Sequence, residues 1–210
     1  TGFGRSLVRV EADDTEAWSS SFWAVSALAV VLALAVVALS YPAARFFNEP
    51  RLQPMLAAIA LAPLLLGITE IPSASLLQRE RFQWLAGAEF LSALFGIIVA
   101  LVLAFKGAGA WALVWQLLTQ RITKTVILFP ASGFRPRLQF HAEKFSEHIR
   151  FALDTISWSI VSYLSRQSDT LIVGKFLGPA TLGLYNVAMR VAQLPVNVFG
   201  SSLNSAIYPR

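Results

Sequence analysis

Residues 17–44 read AWSSSFWAVSALAVVLALAVVALSYPAA and contain no charged side chain. About 20 apolar residues in a helix are enough to cross the hydrocarbon core of a bilayer. Trp18 and Trp23 stand at one end of the stretch and Tyr41 at the other, which is typical of helices anchored at the two membrane–water interfaces. The stretch therefore predicts a transmembrane helix, and Pro42 is expected to help stop it.

The rest of the chain carries further apolar segments separated by short polar turns. They are predicted at about residues 53–72, 84–105, 110–129, 151–173 and 184–207, with a turn at 174–183 between the last two. Glu70 and Glu89 fall near the ends of their predicted helices, where solvation at the membrane interface would account for them. Residues 141–151 predict a short helix that lies on the membrane surface.

The composition supports a membrane protein and excludes several other classes. The 210 residues are 56% hydrophobic and 14% charged, whereas a soluble domain carries about 25% charged residues. A soluble helical bundle is disfavoured because so many apolar runs cannot be buried without lipid. The net charge of +5 does not indicate a nucleic-acid-binding protein, because the basic residues are spread between the apolar segments. The absence of cysteine excludes a disulfide framework and cysteine-ligated zinc in this chain.

Positive charges predict how the chain is oriented. Six spans place alternate loops on one side of the membrane, and cytoplasmic loops carry an excess of Lys and Arg. The first group of loops contains Arg5, Arg9, Arg79, Arg81, Arg135, Arg137, Lys144, Arg150 and Arg210. The second group contains Arg45, Arg51, Lys106 and Lys175. The first group is therefore predicted to be cytoplasmic, together with both ends of this segment.

Several charged residues fall inside the predicted spans. A charge at the centre of a bilayer costs about 2.5–3.5 kcal/mol on insertion scales, so such residues usually face a partner or a wet cavity. Arg121 and Lys124 share one helix face and would repel each other unless an anionic group lies between them or water screens them. Both side chains could instead extend to the cytoplasmic face. Arg166 and Asp169 have the same spacing and opposite charges, so they could form a pair.

A polar stripe is predicted along the last segment. Steps of four, three and four residues join Asn186, Arg190, Gln193 and Asn197 on one helix face. Such a stripe is expected to face a cavity or a neighbouring helix rather than lipid. No nucleotide-binding loop, metalloprotease motif or nucleophile elbow is present. His141 and His148 lie in the basic loop and are interpreted as solvated residues rather than metal ligands.

One part of the chain resembles a known family. Residues 162–195 read SYLSRQSDTLIVGKFLGPATLGLYNVAMRVAQLP. This stretch resembles Wzx-type bacterial polysaccharide flippases of the multidrug/oligosaccharidyl-lipid/polysaccharide exporter superfamily, and residues 1–10 and 79–116 agree with it. The resemblance rests on Arg166, Asp169, Gly174, Leu177, Gly178, Leu182, Gly183, Tyr185, Ala188 and Pro195.

The resemblance implies an all-α integral membrane fold in which this chain is a fragment. About six transmembrane helices would be the third to eighth of twelve or more, in a transporter with two lobes around a central cavity. Residues 1–147 would complete the N-terminal lobe with four helices and a basic cytoplasmic loop, and residues 148–210 would begin the C-terminal lobe with two helices.

The resemblance also implies a function, which is the export of a lipid-linked oligosaccharide or polysaccharide across the bacterial inner membrane by alternating access. The expected partners are that substrate and membrane lipids, with a coupling cation left open and no nucleic acid, cofactor, metal or enzymatic activity. A hypothetical substrate pathway comprises Arg190, Arg121, Lys124, Arg166, Asp169, Asn186, Gln193 and Asn197.

Three rival interpretations remain open from the sequence. The first is a cation-coupled multidrug antiporter of the same superfamily, for which the acidic residues Glu70, Glu89, Asp154 and Asp169 are available. The second is a membrane enzyme that acts on lipid-linked sugars, which should show a large loop with catalytic carboxylates. The third is a scaffold that transports nothing.

Overall fold

The computed structural model describes residues 15–134, 162, 163, 165 and 167–193. The predicted surface helix at 141–151, with His141 and His148, lies outside the described residues. Within the described ranges the chain consists of α-helices joined by short turns, without any β-strand. This confirms the predicted all-α class.

Six helices make up the described part of the chain. They are α1 Thr15–Phe47, α2 Leu52–Ile59, α3 Leu61–Gln78, α4 Phe82–Phe105, α5 Trp111–Ser132 and α6 Gln167–Gln193. They belong to two compact units, Thr1–His148 and Ile149–Arg210. Whether these units correspond to the two predicted lobes stays a prediction.

Four stretches of the described residues are long and apolar enough to cross a membrane, namely Trp18–Phe47, Leu52–Gln78, Phe82–Phe105 and Gln167–Gln193. Large apolar side chains cover their surfaces; Leu34 and Phe90, for example, are 63% and 68% exposed. Water would disfavour so much exposed apolar surface, whereas lipid accepts it. The protein is therefore a multi-pass membrane protein. Helix α5, which was predicted as a span, is not among the four because polar side chains occupy its middle.

Helix α1 passes through Pro42 and ends at Phe47, so the prediction that Pro42 helps stop the helix is wrong. Membrane helices tolerate proline because nearby groups satisfy the carbonyl that loses its partner. The helix ends only where Asn48 adopts a positive φ of 55°.

The ends of α1, α3 and α4 share one backbone motif. Asn48, Glu80 and Gly107 each have a positive φ, of 55°, 55° and 76°. After each of them an amide bonds back to a carbonyl five residues earlier, as from Arg81 to Leu76 at 2.9 Å. This is the Schellman arrangement, which satisfies the last carbonyls of a helix and turns the chain sharply. Successive helices can therefore pack beside each other.

The second predicted span differs from the structure in two respects. It was expected to end at Pro72, but α3 continues through Pro72 to Gln78. It is also broken at Ala60, between α2 and α3. Pro63 explains the break, because it has no N–H and its ring clashes with the carbonyl four residues earlier, that of Ile59.

Helix α3 lies between α1 and α5 in the first unit. Trp18 and Phe22 of α1 form a buried cluster with Ile71 and Ala74 of α3. Near the turn between α3 and α4, Leu76, Ala88 and Leu128 of α3, α4 and α5 are all fully buried in one cluster. The end of α5 lies at the same side, since the Arg79 guanidinium donates to the Ser132 carbonyl at 3.4 Å.

The second unit contains a reversal of chain direction inside α6. Residues 167–193 are all helical, but Gly178 has a φ of 80°, which a right-handed helix does not allow. Residues 174–183 were predicted as a turn; they are helical, and the departure from helical backbone is confined to Gly178. The residues before Gly178 form a first arm and those after it a second arm, so α6 does not cross the membrane as one straight span. The three stretches of the first unit therefore carry the multi-pass assignment.

Candidate functional site

Polar side chains of three helices meet in the middle of the first unit. This polar cluster consists of Thr69 on α3, Glu89 on α4, and Arg121, Lys124 and Thr125 on α5. At a rise of 1.5 Å per residue, Glu89 lies about 10 Å along α4 from its first residue, Phe82. On α5, Lys124 lies about 12 Å and Arg121 about 16 Å from the last residue, Ser132. The cluster members on α4 and α5 thus lie at similar depths from the side predicted to be cytoplasmic.

Lys124 and Glu89 form an ion pair between α5 and α4. The Lys124 ammonium donates a hydrogen bond to the Glu89 carboxylate. The two side chains are 28% and 69% exposed, so the lysine is the better buried partner. An anionic group near Lys124 was one of the alternatives that the sequence left open, and Glu89 supplies it. Solvation at the interface alone therefore does not account for Glu89.

Arg121 lies one turn before Lys124 and is half-buried. It lies seven residues before Leu128 and therefore on the same helix face, and Leu128 packs against both α3 and α4. Arg121 consequently projects towards the space between those two helices. The described residues contain one ion pair, that of Lys124, so within them the Arg121 guanidinium has no carboxylate partner.

Two threonines connect α3 to α5 beside these charges. The hydroxyl oxygens of Thr69 and Thr125 lie 2.8 Å apart, and the Thr125 hydroxyl also donates to the Arg121 carbonyl at 2.9 Å. Sequence reasoning did not single out either residue. Threonine often bonds across membrane helices, but one sequence alone does not indicate which threonines lie opposite each other.

Glu70 does not belong to the polar cluster, because it lies on a different face of α3. It lines a groove of about 140 Å³ between α1 and α3, together with Val25, Leu28, Ala29, Leu32, Pro63, Leu66 and Gly67. The prediction that Glu70 lies near a helix end is wrong, because α3 continues for eight residues beyond it. Glu70 has an interaction partner in the structure.

In the second unit, the Asp169 carboxylate accepts a hydrogen bond from the Tyr185 hydroxyl. Its other oxygen accepts the Thr170 amide at 2.8 Å. Arg166, the partner predicted from the sequence, has no described side chain, so the predicted pair stays a prediction.

The predicted polar stripe lies on the second arm of α6. Asn186, Arg190 and Gln193 are helical and have exposed side chains, and Asn197 lies outside the described residues. The role of the stripe in a substrate pathway stays a prediction. Within the described ranges, no three His, Cys, Asp or Glu residues are close enough together to hold a metal ion.

Comparison with known proteins supplies independent information. A family model described as a polysaccharide biosynthesis protein matches residues 1–210. A succinoglycan biosynthesis transport protein, ExoT of Rhizobium meliloti, is 27% identical over 99% of this chain and 42% of its own length. The amylovoran biosynthesis protein AmsL of Erwinia amylovora is 24% identical over 91% of the chain and 50% of its own length.

A third relative is the lipopolysaccharide biosynthesis protein WzxC of Escherichia coli, which is 23% identical over 99% of this chain and 43% of its own length. The chain thus spans half or less of the length of these three relatives. No solved structure matches the chain at a significant level.

Proposed function

The chain belongs to the polysaccharide biosynthesis protein family, and from this membership we propose that it forms part of a transporter for lipid-linked oligosaccharide or polysaccharide. The transporter would move the sugar from the cytoplasmic to the outer leaflet of a bacterial inner membrane without changing it chemically. The name of the Rhizobium relative, a succinoglycan biosynthesis transport protein, supports transport. The many apolar helices support a site within the membrane.

Transport of such a substrate poses a physical problem that the polar cluster addresses. A lipid-linked sugar carries an anionic phosphate or pyrophosphate headgroup, which cannot enter hydrocarbon unpaired. Fixed cations inside the bundle would offset the cost of removing that headgroup from water, and guanidinium groups bind phosphate through two parallel hydrogen bonds. The lipid tail would remain in the bilayer while the headgroup passes along the protein.

Arg121 is the observation that carries the proposal. It is half-buried about 16 Å from the end of α5, beside a second cation, and within the described residues it has no carboxylate partner. A charge at this depth is costly unless an anion or water solvates it. We propose that Arg121 and Lys124 bind the phosphate of the headgroup.

Polar residues of the second unit are also part of the proposed substrate pathway. The stripe of Asn186, Arg190 and Gln193 offers one cation and two amides, which suit an anionic headgroup and sugar hydroxyls. Arg166 and Asp169 would gate or position the substrate. Alternating access is the proposed mode of transport.

Charge removal in the full-length protein tests the proposal. We expect Arg121→Gln and Arg190→Gln to abolish surface polysaccharide while the amount of protein in the membrane stays normal. Arg51→Gln is the matched control, because Arg51 is an exposed arginine in the turn before α2. Normal polysaccharide in both Arg121→Gln and Arg190→Gln cells would contradict the proposed role of these cations.

A further inference from the structure

Glu89 neutralises one of the two cations assigned to the substrate phosphate. Its carboxylate binds the Lys124 ammonium across the interface between α4 and α5. A phosphate held by Arg121 and Lys124 would have to bind the same ammonium. We propose that Glu89 is an internal competitor of the headgroup, so that substrate binding exchanges the carboxylate for a phosphate at Lys124. This inference rests on the proposed function.

The exposure of the pair makes such an exchange feasible. The Glu89 side chain is 69% exposed, so a headgroup can approach the ion pair without displacing packed side chains. No other cation pairs with Glu89 among the described residues. A phosphate carries more charge than a carboxylate and would also contact Arg121, three residues before Lys124 on the same helix side. The phosphate therefore has more contacts to gain at this position than Glu89 has.

Glu89 would have a different effect in the empty and in the loaded state of the protein. In the empty state Glu89 offsets the repulsion between Arg121 and Lys124, two like charges one turn apart inside the bundle. In the loaded state it is free to return to Lys124, which limits the affinity for the headgroup. Sites that pass a substrate onwards must bind it firmly enough for entry and weakly enough for exit. Glu89 therefore promotes release at the second leaflet.

Titration with inorganic pyrophosphate tests the inference, using the purified full-length protein in lipid nanodiscs. We expect Glu89→Gln to bind pyrophosphate about tenfold more tightly than the unchanged protein, a difference of about 1.4 kcal/mol. Glu80→Gln is the matched control, since Glu80 is an exposed carboxylate in the turn after α3. It should bind as the unchanged protein does.

A second pair of variants identifies Lys124 as the place of competition. In a Lys124→Gln background, Glu89→Gln should bring no further gain, because the shared ammonium is gone. Glu89→Asp keeps the charge but shortens the side chain, so it should raise the affinity by less than Glu89→Gln. It also provides the test if Glu89→Gln does not fold.

The possible failures are distinguishable. If both Glu89 variants bind pyrophosphate no more tightly than the unchanged protein does, Glu89 is not a competitor. That result would not contradict the anion site itself. An equal gain in Glu80→Gln would also overturn it, because the effect would then be one of overall charge. Failure of both the unchanged protein and Glu89→Gln to bind pyrophosphate would overturn the anion site, and the proposed function with it.

Discussion

Asp169 and Tyr185 lie sixteen residues apart in the sequence, and the Tyr185 hydroxyl nevertheless donates a hydrogen bond to the Asp169 carboxylate. In a straight helix these residues would be separated by about 24 Å, far beyond the reach of the two side chains. The bond therefore requires the chain to fold back between them. Gly178, with a φ of 80°, lies near the middle of the interval and provides the reversal.

The first prediction concerns Gly178. A side chain at this positive φ costs about 1–2 kcal/mol, so Gly178→Ala should lower the midpoint of thermal unfolding of the detergent-purified protein. Gly183→Ala is the control, because Gly183 is a helical glycine with open space around it and an ordinary backbone conformation. Equal midpoints for the two variants would contradict a reversal at Gly178.

The second prediction concerns the bond between the two arms of α6. Spin labels introduced by Leu171→Cys and Val187→Cys should report one short distance, because these exposed positions lie on opposite arms near Asp169 and Tyr185. Tyr185→Phe removes the hydroxyl and should broaden the distance distribution. Tyr163→Phe changes another exposed tyrosine and should leave it narrow. A long distance in the unchanged background would show that the arms do not fold back.

The third prediction concerns the crossing of α1 and α3. A Cβ atom at Gly67 would lie 2.5 Å from the Cβ of Ala29, so Gly67→Ala forces the helices apart. Overpacking of this kind costs about 1–3 kcal/mol. Gly87→Ala, on α4, adds the same methyl group where nothing lies within 4 Å. Thermal unfolding should show a lower midpoint for Gly67→Ala and an unchanged midpoint for Gly87→Ala. An unchanged midpoint for Gly67→Ala would mean that α1 and α3 are less closely packed at this position than described.

The fourth prediction concerns the threonine bridge between α3 and α5. Hydrogen bonds between membrane helices contribute about 0.6–1.7 kcal/mol. A double-mutant cycle of Thr69→Val and Thr125→Val should yield a coupling energy in that range. Thr69→Ser keeps the hydroxyl and should retain most of the stability. Strictly additive effects of the two valine substitutions would show that the hydroxyls do not interact.

The sequence was sufficient to predict the helical membrane class and most of the helix positions, because apolar runs and turn residues are local signals. Gly133 ends α5 with a φ of 65°. Prolines were harder to interpret. Pro42 and Pro72 lie within continuous helices, whereas Pro63 accompanies a break. The outcome depends on neighbouring helices and hydroxyl groups, which a single sequence does not reveal.

The candidate site was predictable only in part. The spacing of Arg121 and Lys124 left an anionic neighbour open as one alternative, but the position of Glu89 opposite Lys124 depends on how α4 and α5 are aligned. The same alignment places Gly96 against Gln120 and Ala88 near Leu128. Register between two helices is a tertiary property, so the residues alone did not specify this pair. Glu70 was misplaced for a different reason, which is that α3 extends further than expected.

Thiol labelling at Arg121 tests the central claim most directly, that this residue lines a wet interior of a membrane protein. The 210 residues contain no cysteine, so Arg121→Cys introduces the single thiol of this chain. Val126→Cys is the control, since Val126 is an exposed apolar residue of the same helix, about 8 Å closer to its end. In membrane vesicles, a water-soluble thiol reagent should label Arg121→Cys and should leave Val126→Cys unlabelled. Labelling of Arg121→Cys as slow as that of Val126→Cys would contradict the account.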